Sequence, residues 1–204
     1  ALMYHTMCAL DVNQFRIRIN NRKILNGLAV AAGIRDRDRI SADAITNEMM
    51  RILDKLDKTG LDSVVRELKA EPENPYSPAP RLTDPAIEKI KKFLNLKGSN
   101  KEKIGRCRKV FNNIDIVQEG LDELDEILKY LESMKIPKAC VDIDFSVARG
   151  LDYYTGPVYE TVLLDAPQFG SVFSGGRYNN LIRRFTGKTM PATGTSMGVD
   201  RLFA

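Results

Sequence analysis

The sequence has only one histidine, His5, and only three cysteines. A single histidine near a chain end excludes paired-histidine metal sites and leaves any Ser/His or Cys/His mechanism dependent on one residue. We therefore interpret His5 as structural. The cysteines, Cys8, Cys107 and Cys140, are odd in number and far apart, which excludes a disulfide framework and a zinc site. We expect no zinc, no other metal bound by this chain and no organic cofactor.

Long apolar runs are also absent. No stretch approaches the roughly 18 to 20 apolar residues of a membrane-spanning helix. The first residues, ALMYHTMCALDV, lack the basic start and the apolar run of a signal peptide. With 43% hydrophobic and 28% charged residues among 204, the composition is typical of a soluble globular protein with one large or two small domains. We expect a cytoplasmic protein with no membrane partner.

The net charge of +4 is mild, but it is unevenly distributed along the chain. Residues 84–109 contain nine Lys or Arg and three Asp or Glu, whereas residues 110–132 contain one and seven. A basic face that contacts phosphates would show such asymmetry. Two neighbouring helices that attract each other would show it as well. Both interpretations stay open at this point.

Hydrophobic periodicity predicts a strand, then a long series of helices. FRIRIN (15–20) alternates apolar side chains with arginines, as a strand with two different faces does. Asn20 and Asn21 can then cap a helix through RKILNGLAVAAG, which Gly33 ends. Helical stripes follow, with the proline-rich segment AEPENPYSPAPRLT predicted as a loop between them. These stripes run from Ala42 to a break at Gly60, from Leu61 to Leu68, from Asp84 with Pro85, over 100–112, and through GLDELDEILKYLESM.

After Pro137 the period changes from helical to alternating. Strands are predicted at VDIDFSV (141–147), in YTGPVYETVLL, at GSVFSGG and at TGTSMGV, with a short helix from Arg177 to Phe185 and another starting at DRLFA. A helix of some five residues cannot stand alone, so the chain looks cut. We therefore expect helices inserted into a sheet-based domain, part of which is missing.

Arginine and aromatic residues cluster in the loop VARGLDYYTG (147–156). Its glycines permit positive φ or a close backbone approach, and flanking strands would hold Arg149, Tyr153 and Tyr154 in place. The alternative is an ordinary connection between strands, in which Arg149 pairs with Asp152 and the tyrosines are half-buried.

Two later segments carry similar features. The glycine pair in SGGRYNN (174–180) lets a ligand approach the backbone, or simply forms a β-bulge. In GTSMGVDRL, Arg201 follows a glycine at a predicted helix start. Its planar guanidinium suits triphosphate oxygens. A surface ion pair is the alternative for this arginine.

These segments resemble a known family. VARGLDYYTGPVYE, SGGRYNNL and GTSMGVDRL resemble, in the same order, the two histidine-specific signatures and the third general signature of class II aminoacyl-tRNA synthetases, as found in histidyl-tRNA synthetases. FRIRINNRKIL is similar to the strand and helix after their second signature. The resemblance implies an α+β fold, with part of the class II antiparallel sheet, flanking helices and an all-helical insertion domain. It places the first part of the catalytic core at 1–33, the insertion domain at 34–138 and the second part of the core at 139–204.

The resemblance also implies an activity and its residues. The activity is histidine–tRNA ligation: ATP with Mg²⁺ and L-histidine form histidyl-adenylate, and histidine is transferred to tRNA(His), in a full-length homodimer. Arg149 would stabilise charge at the α-phosphate, and Arg201 would hold the terminal phosphates of ATP. The histidine-binding residues implied are Arg149, Tyr153, Tyr154, Gly175, Gly176 and Tyr178.

The chain also departs from the family. The first and second class signatures and a carboxy-terminal anticodon-binding domain are absent, so we expect an internal fragment that is inactive alone. A non-catalytic regulatory or tRNA-sensing relative is the alternative function, although such relatives tend to have degraded signatures. The family's insertion domain contacts the tRNA acceptor arm, so a basic patch in the helical middle is a candidate tRNA contact. Its residues are Lys97, Lys101, Lys103, Arg106, Arg108 and Lys109.

Overall fold

The sheet is the frame of the molecule. The computed structural model describes residues 1–149 and 153–203, with no description of the side chain at 184. Within these residues five strands form one sheet in the order β2-β1-β3-β4-β5. The strands are β1 (Phe15–Asn21), β2 (Val141–Ile143), β3 (Pro157–Leu163), β4 (Ser171–Arg177) and β5 (Thr193–Met197). Strands β1 and β2 are parallel and the other three pairs are antiparallel, so the sheet has the antiparallel pairing implied by the resemblance in all but one pair.

Helices occupy most of the chain between β1 and β2, and further helices precede β1 and follow β4. In order they are α1 (Leu2–Ala9), α2 (Arg22–Ala31), α3 (Ala42–Leu53), α4 (Leu56–Thr59), α5 (Leu61–Lys69), α6 (Asp84–Leu94), α7 (Asn100–Val110), α8 (Asp115–Ser133), α9 (Leu181–Thr186) and α10 (Val199–Phe203). Short 3-10 turns lie at Lys138–Cys140 and Pro167–Phe169. No helix in the described part of the chain combines the length and the apolar character needed to span a bilayer.

Local capping explains where several predicted helices begin. The Asn21 side chain accepts a hydrogen bond from the backbone N–H of Lys23, which confirms the predicted start of α2. At α7, Ser99 and Glu102 form a reciprocal capping box. Helix α6 has Pro85 in its first turn, where a missing N–H costs nothing. These starts were readable from the sequence because each depends on residues close together in the chain.

Two predicted elements end earlier than expected: the helix that begins at Ala42 and the strand that begins at Val141. Helix α3 ends at Leu53, well before Gly60, and the separate turn α4 follows it. Gly60, with φ of 77°, lies between α4 and α5, so the break predicted at this residue is confirmed. Strand β2 stops at Ile143 because the Asp144 carboxylate accepts hydrogen bonds from the backbone N–H and hydroxyl of Ser146, which turns the chain.

Two further differences lie near the chain ends. Arg177 belongs to β4, and the helix predicted from that residue begins only at Leu181. Helix α1 was not predicted, because its apolar residues form no clear stripe in the sequence. Only Met3 and Met7, one turn apart, are buried in it.

Close glycine contacts bring α2 and α8 together beneath the sheet. A Cβ on Gly120 would lie 2.8 Å from Cγ1 of Ile24, and one on Gly27 would collide with Val117. The surrounding hydrophobic core is continuous from the strands into the helices of the middle segment. The division into residues 1–33, 34–138 and 139–204 stays a prediction.

One face of the sheet is polar. Strand register places a row of polar residues side by side across four strands: Arg18, Glu160, Ser174 and Ser196. The next row on the same face consists of Asn20, Val158, Gly176 and Gly194. Successive side chains on a strand point to opposite faces, so residues two apart share a face. This polar face positions the candidate site.

Candidate active site

A cavity of about 710 Å³ adjoins the polar face. The end of α3, the turn α4 and the turn Pro167–Phe169 contribute to its wall. The charged residues lining it are Arg18, Asp54, Asp57, Lys58, Arg149, Glu160 and Arg201. The cavity therefore brings together the two arginines that the sequence assigned to ATP, Arg149 and Arg201.

Glu160 lies between two arginines in this wall. Its side chain is only 4% exposed, with Oε1 2.8 Å from Nη1 of Arg18 and Oε2 2.8 Å from Nε of Arg149. Burial raises the pKa of Glu160, and the two guanidinium groups oppose that shift. A buried carboxylate thus faces one guanidinium with each oxygen.

Arg18 is held from several sides. Its Nε donates to Asp144 at 2.6 Å, Nη1 donates to Asp57 at 2.7 Å and Nη2 donates to the Ser146 hydroxyl at 2.8 Å. Burial disfavours the charged form of Arg18, but Asp144, Asp57 and Glu160 outweigh burial and raise its pKa. The guanidinium is therefore a fixed cation whose orientation is determined by its partners.

Arg149 follows the buried residues Val147 and Ala148, and its side chain is 35% exposed. Besides Glu160, it approaches Asp54 of the helical segment, with Nε 3.7 Å from Oδ1. Both ion pairs with described residues use Nε, on one edge of the guanidinium. Asp152 lies outside the described residues, so the alternative pairing of Arg149 with Asp152 is not tested.

Arg201 reaches the cavity from α10. Its Nη1 donates to the backbone carbonyl of Ser171 at 2.5 Å. This contact ties the side chain to β4, whereas a surface ion pair, the alternative from sequence, is not formed with any described carboxylate.

Three tyrosines cluster on the same face of the sheet, one row beyond Glu160. Ring centroids are 4.3 Å apart for Tyr153 and Tyr154, and Tyr178 lies 6.2 and 6.3 Å from them. Tyr154 covers Gly176, where a Cβ would lie 2.7 Å from the ring, and Tyr178 covers Gly194. Burial, followed by the nearby Tyr153, raises the pKa of Tyr154. The tyrosines are not among the lining residues of the arginine cavity.

The family model for histidyl-tRNA synthetase matches residues 1–202. The chain belongs to the histidyl-tRNA synthetase family. It is 40% identical over 203 residues to the histidine–tRNA ligase of Clostridium tetani, covering 100% of this chain and 42% of that protein. It is 38% identical over 205 residues to the ligase of Wolinella succinogenes, covering 100% and 43%. The chain thus spans less than half the length of these curated relatives.

Two solved structures share the fold of this chain. The histidyl-tRNA synthetase of Nostoc sp. PCC 7120 superposes with a TM-score of 0.82 at 31% identity, over 99% of this chain and 44% of that one. An ATP phosphoribosyltransferase regulatory subunit/histidyl-tRNA synthetase from Bacillus halodurans C gives 0.73 at 21% identity, over 98% and 46%. The second likeness shows the fold alone.

The signature glycines of this synthetase-family chain are surrounded by protein atoms. The Tyr154 ring fills the space beside Gly176, and a Cβ on Gly175 would lie 2.9 Å from the backbone of Thr195 in β5. The structure therefore brings Gly176 to the tyrosine cluster, whereas Gly175 packs against β5 and, one residue along the strand, lies on the opposite face of the sheet. Their expected role in admitting the amino acid stays a prediction.

The basic residues of the candidate tRNA patch lie on and beside α7, and several are paired within the fold. Lys103 contacts Asp142 at 2.7 Å and the carbonyl of Ile143 at 2.9 Å. Arg108 pairs with two carboxylates of α8, Asp122 at 2.8 Å and Asp125 at 3.3 Å. Arg106 donates to the carbonyl of Lys97. These contacts favour the interpretation of α7 and α8 as mutually attracting helices, while Lys97, Lys101, Arg106 and Lys109 remain exposed.

Sequence reasoning missed Glu160, Arg18 and Gly194 as site residues. A signal was present for the first two, since alternation in β1 and β3 places each of them on a strand face. Their pairing depends on strand register, which joins residues far apart in the chain. Gly194 could be found only once β5 was paired with β4.

Proposed function

We propose that this chain forms part of the catalytic domain of a histidine–tRNA ligase, which activates L-histidine with ATP and transfers it to tRNA(His). One observation carries the proposal: Arg149 and Arg201 line a single cavity on the sheet face that also bears the tyrosine cluster. Membership of the histidyl-tRNA synthetase family supports it.

The first step is a phosphoryl-group substitution. A carboxylate oxygen of histidine attacks the α-phosphorus of MgATP, a P–O bond to the β-phosphate breaks, and pyrophosphate leaves. Negative charge gathers at the α-phosphate, so a fixed cation at that point lowers the barrier. Arg149 supplies that cation, because it lines the cavity and its Nη groups form no ion pair with a described carboxylate. Arg201 binds the terminal phosphates, for which its planar donors are suited.

The tyrosine cluster accounts for the choice of amino acid. Tyr153, Tyr154 and Tyr178 line the imidazole pocket, where phenolic hydroxyls match the polar edge of the ring and the aromatic rings exclude water. Gly176, which lies against Tyr154, and the neighbouring Gly175 let the amino acid approach the backbone of β4. In the second step a terminal ribose hydroxyl of the tRNA attacks the histidyl carbonyl of the adenylate, an ester bond forms and AMP leaves. The acceptor arm of the tRNA contacts the exposed lysines near α7.

The competing function is a regulatory or tRNA-sensing relative that performs no chemistry. The fold is compatible with both functions, since the ATP phosphoribosyltransferase regulatory subunit/histidyl-tRNA synthetase of Bacillus halodurans C shares it. The signature residues Arg149, Tyr153, Tyr154 and Arg201 are all present here, which favours the ligase. A regulatory protein would show no histidine-dependent exchange of pyrophosphate into ATP.

Histidine-dependent ATP–pyrophosphate exchange by the intact synthetase carrying this sequence tests the proposal. Arg149→Ala is expected to lower the exchange rate about 10²- to 10³-fold, the usual loss when a charge-stabilising donor is removed. Arg51→Ala is the matched control, because Arg51 is exposed on α3 and pairs only with Glu48 among described residues. Near-normal exchange by Arg149→Ala would refute the assignment.

A further inference from the structure

We propose that Glu160 is a positioning residue for adenylate formation, which orients the Arg149 guanidinium toward the cavity. The inference rests on the proposed function and concerns the last residue of the segment VARGLDYYTGPVYE, to which the resemblance assigned no role. Glu160 does not need to touch the substrate to act in this way. It acts through the arginine beside it.

The Glu160 side chain is held in place by the surrounding protein. It lies on β3, hydrogen-bonded on both sides by β1 and β4, and its side chain is 4% exposed. One oxygen is 2.8 Å from Arg18, a guanidinium that Asp144, Asp57 and Ser146 already hold. A carboxylate with one oxygen anchored in this way presents its second oxygen in a defined direction.

The charges around Glu160 bear on its role. Arg18 has two other carboxylate partners, Asp144 and Asp57, at 2.6 and 2.7 Å. Glu160 is therefore not needed merely to neutralise Arg18. Its remaining partner is Arg149, whose only other ion pair with a described residue, to Asp54, is longer at 3.7 Å. Of the two carboxylates near Arg149, Glu160 is the closer and the more deeply buried.

The geometry of the Glu160–Arg149 contact bears on this role as well. Oε2 lies 2.8 Å from Nε of Arg149, yet it accepts no aligned hydrogen bond from any described residue. The distance already suits a hydrogen bond, so only the direction of the N–H has to change. Hydrogen bonds of catalytic groups are often poorly aligned without substrate and tighten in the reacting complex. Glu160 can thus form a hydrogen bond with Nε of Arg149 when a phosphate binds the Nη groups of the same guanidinium.

A double-mutant cycle in the ATP–pyrophosphate exchange assay of the intact synthetase tests this inference. Glu160→Gln keeps the shape of the side chain and removes its charge. It is expected to lower kcat about 10- to 100-fold, because small misplacements of a catalytic group have effects of that order, with a smaller change in KM. In the Arg149→Ala background the same substitution is expected to cause no further loss, since a residue that acts through Arg149 has nothing left to orient.

Two controls keep the test decisive. Asp142→Asn removes another ion-paired carboxylate of the sheet, on β2 and outside the cavity, and is expected to leave exchange unchanged. If Glu160→Gln fails to fold, as its thermal unfolding would show, Glu160→Asp replaces it. This variant keeps the charge on a shorter side chain. It is expected to lower the exchange rate partially when Arg149 is present and not at all in the Arg149→Ala background.

The possible outcomes distinguish the positioning role of Glu160 from the ligase activity itself. Equal losses from Glu160→Gln with and without Arg149, or no loss in either background, would overturn the positioning role while leaving the ligase intact. Absence of histidine-dependent exchange in the unsubstituted protein would instead overturn the proposed function, and the role of Glu160 with it.

Discussion

Two regions of the molecule concentrate basic side chains, and they use them differently. In the cavity, Arg18 and Arg149 flank a buried carboxylate, Glu160, on the polar face of the sheet. On α7, Arg108 lies at the surface and pairs with Asp122 and Asp125 of the neighbouring helix. The sequence shows the second region far more clearly, as a run of positive charge followed by a run of negative charge.

The difference teaches that the density of charge along a sequence is a poor guide to a reactive site. Exposed pairs between helices are screened by water and contribute little. A buried carboxylate is costly unless it is paired, so its partners are held in defined places. The more informative signal is therefore a carboxylate on a buried strand face, next to arginines that alternation puts on the same face.

The largest expected effect separates the two regions by stability. Arg18→Ala leaves Asp144 and Glu160 without their shared cation and is expected to lower the free energy of unfolding by about 3–5 kcal/mol. Arg108→Ala, at the helix surface, is expected to lower it by about 0–1 kcal/mol. Urea unfolding monitored by circular dichroism measures both. Similar losses from the two substitutions would remove the distinction drawn between these regions.

A smaller effect concerns the acid dependence of stability. Burial by itself would raise the pKa of Asp144, but Arg18 and the hydrogen bonds from Ser146 outweigh it and lower the pKa below its usual value. Asp144 therefore contributes stability that is present above about pH 4, the ordinary pKa of aspartate, and is lost as pH falls through the lowered value.

Glu160 has the opposite effect on the pH dependence of stability. Its raised pKa gives a contribution that is present below about pH 4, the ordinary value for glutamate, and is lost as pH rises through the raised value. Asp144→Asn is thus expected to lose less stability than the unsubstituted protein between pH 7 and pH 3, and Glu160→Gln to lose more. Unfolding midpoints at the two pH values measure this, and parallel losses in all three proteins would contradict it.

The smallest expected effect lies on the helical side. Lys101 and Lys109 are exposed, whereas Arg108 is paired with α8. Replacing each lysine by alanine is expected to weaken binding of tRNA(His) by the intact synthetase and to reduce the slope of log affinity against log salt by about one. Arg108→Ala should change that slope less. Unchanged slopes for the lysine variants would leave this surface as a solvated helix face.

Much of the fold follows from short-range patterns in the sequence. Alternation in FRIRIN predicts β1, the β-branched and aromatic residues of YTGPVYETVLL predict β3, and the capping residue Asn21 predicts the start of α2. The predictions failed where a side chain redirected the backbone. Asp144 bonds to Ser146 and ends β2 early, which no alternation pattern reveals.

The site was predictable in part, and for a different reason. Arg149, Tyr153, Tyr154 and Arg201 were found through a family resemblance, because their spacing forms recognisable signatures. The partnership of Glu160 with Arg18 and Arg149 was not found. It joins β1, β3 and the loop before β3, and only strand register places these residues together. Tyr178 and Gly194 likewise meet only because β4 pairs with β5.

The most direct test of the central claim is a crystal structure of the intact synthetase with ATP and a non-reactive histidine analogue. We expect the α-phosphate within hydrogen-bond distance of Arg149 and the terminal phosphates at Arg201. The imidazole should lie among the three tyrosines, and Glu160 should accept a hydrogen bond from Nε of Arg149. A triphosphate bound on another surface, with Arg149 facing solvent and the cavity beside Glu160 empty, would contradict it.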